Sequence, residues 1–314
     1  TAYTRRRFWG IAAKAAAGSI SCAGKLALAA RIETSAPLII DCHAHVYSLD
    51  ETKYPTIPNP YRPPIGQGTI DHLRREMRGA GVRLATAVQT STFYQWDNRF
   101  IADASDANRD VIVGICTLNP DDRRSPSILN RYVTQANVRG LRSIPAQSRR
   151  LDDPGVEALW SAAERLGITV NVLVNRDKRR ELESLARRHP ALPVVIDHCL
   201  NLHAGREQNE VLSDMLALAR IPNLHAKLSY LATGSRERFP FRDMHGSCHA
   251  IIDAFGPTRC VWGSDFPCQL WCPKATYSDQ LRLFTHELGL EAEAKRHILG
   301  ETARRLYFSR HSVS

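Results

Sequence analysis

Eight short apolar runs, rich in β-branched residues, recur from residue 38 onward, each followed by a longer stretch of helical period. They occupy residues 38–41, 83–89, 111–118, 138–143, 168–174, 193–199, 223–229 and 259–266. Most are nearly continuous in apolar character, as parallel strands covered on both faces must be. Eight such units over about 270 residues match the size and rhythm of a single (β/α)8 barrel of the TIM type. A doubly wound open sheet is the competing topology, but no glycine-rich phosphate loop follows the first run.

The intervening segments carry their own start and stop signals. "GTIDHLRREMRGAG" sets Ile70, Leu73 and Met77 on one face, with Thr69 as N-cap and Gly79 and Gly81 at the end. "DPGVEALWSAAERLG" opens with Asp-Pro and closes at Gly167, and "RDKRRELESLARRHP" ends before Pro190. Residues 47–68 hold five prolines and no period. So long an irregular loop is uncommon unless functional, and it is expected over the mouth of the barrel.

Barrel chemistry sits at the C-terminal ends of the strands. The first run ends in Asp41, His43 and His45, whose two-residue spacing predicts one shared face. The fourth ends at Arg142, the fifth carries Asn171 and Asn175, and the sixth ends in Asp197 and His198. The seventh offers His225, Lys227 and Ser229, and the eighth ends in "GSDFP" with Asp265. Any one of these is as well explained as a loop or capping contact. Two imidazoles on one face, with a third His and a carboxylate from other strands, together match a metal or water-activating site. His225 is not expected as a ligand, because the end of the seventh strand reads as simply wet.

The stretches "IDCHAHVY", "YQWDNRFIADA", "GICTLNPDD", "VRGLRS", "PVVIDHC", "NLHAKLS", "RCVWGSDFP" and "ILGETARRLY" occur in an order that resembles the amidohydrolase superfamily. The likeness is closest to its lactonase branch, which includes 2-pyrone-4,6-dicarboxylate lactonase, 4-sulfomuconolactone hydrolase and L-fuconolactonase. It spans residues 37–308. The resemblance implies that His43, His45, His198 and Asp265 bind one divalent metal, zinc by preference, or orient the attacking water without metal. Arg142 stands where a two-metal member has its lysine, and no His is present on the fifth strand, which counts against a two-metal site held by a carbamylated lysine.

The reaction so implied is opening of the ring ester of a small, acidic lactone, with Asp265 assisting attack of water. Arg142 suits a carboxylate on the substrate. Tyr47, Tyr94, Trp96 and Asn171 are expected to complete the pocket. Asp97 and Asn98 read as caps of the following helix. A decarboxylase of aromatic or muconate-type acids is the alternative reaction on the same barrel. A non-catalytic exported barrel that binds small acids is the alternative outside catalysis.

Charge points away from nucleic acid. The formal net charge is +10, but six basic residues and no acidic one fall in residues 1–31. Elsewhere 36 basic residues exceed 32 acidic ones by only four. "TRRRFWG" followed by an Ala-rich run is a twin-arginine export pattern covering residues 1–30, which implies the twin-arginine translocase and a periplasmic location. The competing reading is a basic amphipathic helix on a cytoplasmic protein. No apolar run reaches the roughly 20 residues of a membrane span. Residues 309–314 read as a tail. Cys116, Cys199 and Cys260 lie in apolar runs and are expected in the core; Cys268 and Cys272 form the only close pair. Oligomeric state is not read from the sequence.

Overall fold

In a computed structural model of the chain, residues 37–309 are described. The export pattern of residues 1–30 and the end of the tail lie outside them. Eight parallel strands pair in sequence order: β1 (Ile40–Ala44), β2 (Leu84–Val88), β3 (Ile112–Thr117), β4 (Val138–Ser143), β5 (Thr169–Val172), β6 (Val194–Ile196), β7 (Leu224–Leu228) and β8 (Cys260–Trp262). A parallel bridge between Ala44 and Phe266 brings β8 back to β1, and the His45 amide donates to the Phe266 carbonyl at 2.7 Å. The (β/α)8 expectation holds.

The helices follow their caps. Ile70–Ala80 starts at Thr69, whose hydroxyl accepts from the His72 amide, and stops at Gly81 in the left-handed region. Gly79 is carried inside it rather than ending it. Pro154–Leu166 starts at Asp153, which accepts from the Gly155 amide, and stops at left-handed Gly167. Arg179–Arg188 ends before Pro190, as expected. Asp97 caps the Arg99 amide at 3.0 Å, whereas the Asn98 side chain instead bonds both backbone groups of Thr117 at the end of β3.

The main apolar core lies between sheet and helices, and a second cluster fills the lower barrel. There Ile40, Cys42, Val88, Val113, Ile115, Val195 and Val261 meet Leu306, Tyr307 and Phe308 at the end of the helix Thr302–Tyr307. This plug leaves the opposite, C-terminal end open. Cys116, Cys199 and Cys260 are buried free thiols. Cys268 and Cys272 are likewise free, with their thiols on the carbonyls of Ser264 and Ala232.

Residues 47–68 form no regular element. Their backbone is pinned to the β2 side by bonds from Ile57 and Tyr61 to Phe93 and Thr92, and to the β8 side by the Tyr61 hydroxyl on Leu270. The excursion therefore crosses the rim between those strands.

Candidate active site

The strand β1 does not present its polar residues on one face. Four residues of β1, Asp41 to Ala44, run beside three of β2, Ala85 to Ala87, so the register shifts by one. A bulge of this kind re-aims side chains. His43 and His45 turn into the barrel, while Asp41 turns to β8 and accepts from the Ser264 amide (2.9 Å), the Ser264 hydroxyl (2.6 Å), the Tyr277 hydroxyl (3.0 Å) and the His43 amide (3.0 Å). Asp41 thus ties the seam of the barrel. The two-residue spacing had grouped it with the imidazoles, because a bulge leaves no mark in a period-two pattern.

Inside, Nε2 of His43 and Nε2 of His45 stand 3.2 Å apart. Oδ1 of Asp265 is 3.6 Å from the first and 3.7 Å from the second. Nδ1 of His45 lies 2.9 Å from the Val88 carbonyl, which can only accept, so that nitrogen carries the proton and Nε2 keeps its lone pair. Gly263 lets β8 pass close to β1: a Cβ there would lie 2.7 Å from Cβ of His43.

Below the imidazoles lies a fully buried ionic cluster. Asp197 takes Nζ of Lys227 on Oδ1 at 2.8 Å and Nε of Arg142 on Oδ2 at 3.1 Å. Asn171 also donates to Oδ1, and the Tyr307 hydroxyl fixes that amide from beneath. Burial acts against the charge of Asp197, but Lys227 and Arg142 outweigh it and hold its pKa below the ordinary value of 3.8. Lys227 reaches on to Nδ1 of His43 at 3.2 Å.

His198 and Asp265 reach the site on unusual backbone. Residues His198, Cys199, Leu200 and Asn201 all have φ between 49 and 60°, and Asp265 has φ 56°. Left-handed backbone costs about 1–2 kcal/mol per non-glycine residue. "DHCLN" contains no glycine, so nothing in its composition announces the turn. Ser229 accepts or donates at Nδ1 of His198, 2.9 Å away.

Above these groups opens a cavity of about 510 Å³. His45, Thr90, Arg142, Asn175, His198, Asn201, Asp265 and Trp271 contribute to its wall, from the ends of six strands. Burial is the largest influence on the titrating groups here. It pushes Asp265 up to about 7, with Arg142 opposing and Asp197 and Asp41 reinforcing the rise. It drives His45 down to about 3 and His198 to about 4, and lowers His43 as well, so all three rings are neutral near pH 7.

Sequence reasoning located His43, His45, His198, Asp265 and Arg142, and the structure gathers all five. Asn171 sits beneath the cavity and positions Asp197 instead of lining the wall. Tyr47, Tyr94 and Trp96 do not line it either. Tyr47 and Tyr94 pack with Tyr54 and Phe93 in an aromatic cluster, where Tyr94 accepts from the Ser48 amide. The Tyr47 hydroxyl is buried beside that of Thr90. Trp271 supplies the aromatic wall, its ring centroid 5.6 Å from that of His45. Lys227, Ser229 and Asp197 were missed as site residues; the alternation of 225, 227 and 229 was the available signal. His225 faces the other end, beside Asn223, Arg259 and Arg305.

One atom each from His43, His45 and Asp265 lies within 4.8 Å of the others, a spacing that could hold a metal ion. His198 is not part of that cluster. A metal-bound His ordinarily gives its other N–H to a carbonyl or carboxylate. His45 does so; His43 faces an ammonium, which has no lone pair to accept with. The donor set as arranged does not fit a divalent ion.

A barrel with paired imidazoles after β1 and a carboxylate after β8, open at its C-terminal mouth, defines a hydrolase-type site of the superfamily the sequence resembles. The chain belongs to the amidohydrolase family, whose model matches residues 40–308. It is 28% identical over 244 residues to an L-fucono-1,5-lactonase from Burkholderia ambifaria, covering 73% of this chain and 80% of that one. Among solved structures, a probable 2-pyrone-4,6-dicarboxylic acid hydrolase from Acinetobacter baumannii with citric acid bound superposes with a TM-score of 0.73 at 18% identity, over 86% of this chain and 99% of that one. An amidohydrolase from Burkholderia multivorans with bound zinc gives 0.69 at 23%, with the same coverage.

Proposed function

We propose that this chain hydrolyses the ring ester of a small lactone. The observation that carries the reading is Asp265: a buried carboxylate on the wall of a polar cavity, its Oδ1 3.6 Å from Nε2 of His43 and 3.7 Å from Nε2 of His45, whose pKa burial pushes up to about 7. A carboxylate at its ordinary pKa is a weak base for water; one near 7 is matched to the task. The lactonases among the relatives support the substrate class.

Asp265 accepts a proton as a water oxygen bonds to the ring carbonyl carbon. The ring C–O bond then breaks, and the departing alkoxide takes that proton back, leaving the carboxylate as it began. The carbonyl oxygen gains negative charge in between and needs donors. Arg142 spends only Nε on Asp197, and its terminal N–H groups have no hydrogen-bond partner among the described residues. They serve the developing oxyanion or a carboxylate on the substrate, and His198 stands on the same wall. Trp271 and the side chains of Thr90, Ser91 and Thr92 accommodate the rest of the ring. No step is assigned to zinc or any other metal.

Among the described residues no helix is long and apolar enough to cross a membrane. The twin-arginine pattern near the N-terminus supports export to the periplasm, which cell fractionation tests. The enzymatic test is a panel of sugar lactones and carboxylated lactones, run with and without chelator and followed by acid release. Ring opening that persists under chelator is expected; carbon dioxide release from aromatic acids, with no lactone turned over, replaces this reading by the decarboxylase one.

A further inference from the structure

We infer that Lys227 closes the His43–His45–Asp265 cluster to divalent metals by fixing the proton on Nε2 of His43. Hydrogen-bond direction alone sets this proton, whatever substrate the cavity takes.

An ammonium has three donors and no acceptor. Nζ of Lys227 is 3.2 Å from Nδ1 of His43, so that nitrogen must offer its lone pair. A neutral imidazole carries one proton, which then resides on Nε2. That nitrogen is the one aimed at the site, 3.2 Å from Nε2 of His45 and 3.6 Å from Oδ1 of Asp265. His45 is fixed in the complementary sense, since the Val88 carbonyl claims the proton on Nδ1 and leaves Nε2 to accept. The direction is then consistent along the chain: Lys227 donates to His43, and His43 to His45. The His45 lone pair is thereby engaged, and of the three groups only Asp265 keeps lone pairs free toward the gap. A catalytic zinc site takes three protein ligands and keeps one open position.

The alternative arrangement is present in outline. Oδ1 of Asp197 lies 4.0 Å from Nδ1 of His43, where the carboxylate partner of a metal-bound His belongs. Lys227 occupies that same oxygen at 2.8 Å. Remove the ammonium, and His43 can give Nδ1–H to Asp197, which turns the Nε2 lone pair toward His45 and Asp265. Arg142 still compensates the carboxylate in that variant. One buried lysine therefore decides between a donor–acceptor pair and a metal triad.

The test is zinc titration calorimetry on chelator-treated full-length protein, with zinc alone as the probe. Wild type is expected to show no stoichiometric zinc site, and Lys227→Arg to match it. Lys227→Met is expected to gain one site, ~100-fold tighter than any background binding, and to lose it again when His45→Ala is added. A wild-type zinc site abolished by His43→Ala overturns the inference. So does a folded Lys227→Met that gains no zinc. Should Lys227→Met fail to fold, nitrogen NMR of wild type decides: a proton on Nε2 of His43 supports the assignment, and one on Nδ1 overturns it.

Discussion

Arg142 and Asp197 form a buried ion pair across the barrel, Nε to Oδ2 at 3.1 Å, and the arginine alone of the two reaches the cavity wall. It therefore links the ionic floor to whatever binds above. Lysine at this position keeps the charge but loses the fork. Arg142→Lys is expected to raise KM for a carboxylated lactone by ~10–100-fold, the value of charge-assisted hydrogen bonds. A neutral lactone should suffer less, and steady-state kinetics on the two substrates measures the difference.

Asp265 must be ionised to accept a proton. With its pKa pushed up to about 7, kcat/KM is expected to rise through neutrality and level off above it. Asp265→Asn should fold normally, lose this limb, and fall by ~10²–10⁴-fold, the usual contribution of a positioned base. A pH–rate profile and a circular dichroism spectrum check both halves.

Asp197 is the anion that two buried cations share. Its depressed pKa means that its stabilisation is present above about 3.8 and is lost as pH falls below that value. Asp265 has the opposite sign: its raised pKa makes the fold gain stability as pH drops from about 7 toward the ordinary carboxylate range. The buried neutral rings of His43, His45 and His198 outweigh that gain, because the unfolded chain takes up their protons below about 6.5 while the fold does not, so denaturant unfolding is expected to show greatest stability near neutrality and progressive loss in acid. Asp197→Asn leaves Lys227 and Arg142 uncompensated and should cost ~3–5 kcal/mol.

Gly263 is a steric requirement. A Cβ there lies 2.7 Å from Cβ and 3.0 Å from the amide nitrogen of His43. Gly263→Ala is expected to displace that ring and abolish most turnover, with a smaller change in melting temperature. Turnover and thermal unfolding measured on one preparation separate the two effects.

Much of this was legible in the chain because each strand is short, apolar and punctuated. All eight strands fall in or across the runs expected, and the caps at Thr69 and Asp153 and the stop at Gly167 are where they were read. The candidate site followed from the same rule, since His43, His45, Arg142, His198 and Asp265 all lie at strand ends and gather in three dimensions. What escaped depends on geometry without a compositional mark. The bulge in β1 sent Asp41 to the seam; Tyr47 and Tyr94 turned to their own cluster; and Lys227, though named on its strand, gains Asp197 and His43 as partners only once β7 closes against β6 and the end of β1. Polarity showed where to look, and the partners of each polar group required three dimensions.

The left-handed turn from His198 to Asn201 has a consequence for how the protein wears out. Four side-chain-bearing residues there are kept in a conformation that an isolated peptide abandons. Only their surroundings restrain them, so gentle warming should release this corner while the sheet beneath remains intact. The ring of His198 would swing away first, and the enzyme would become idle before it became unfolded. Activity and circular dichroism followed along one temperature ramp are therefore expected to fall at different temperatures.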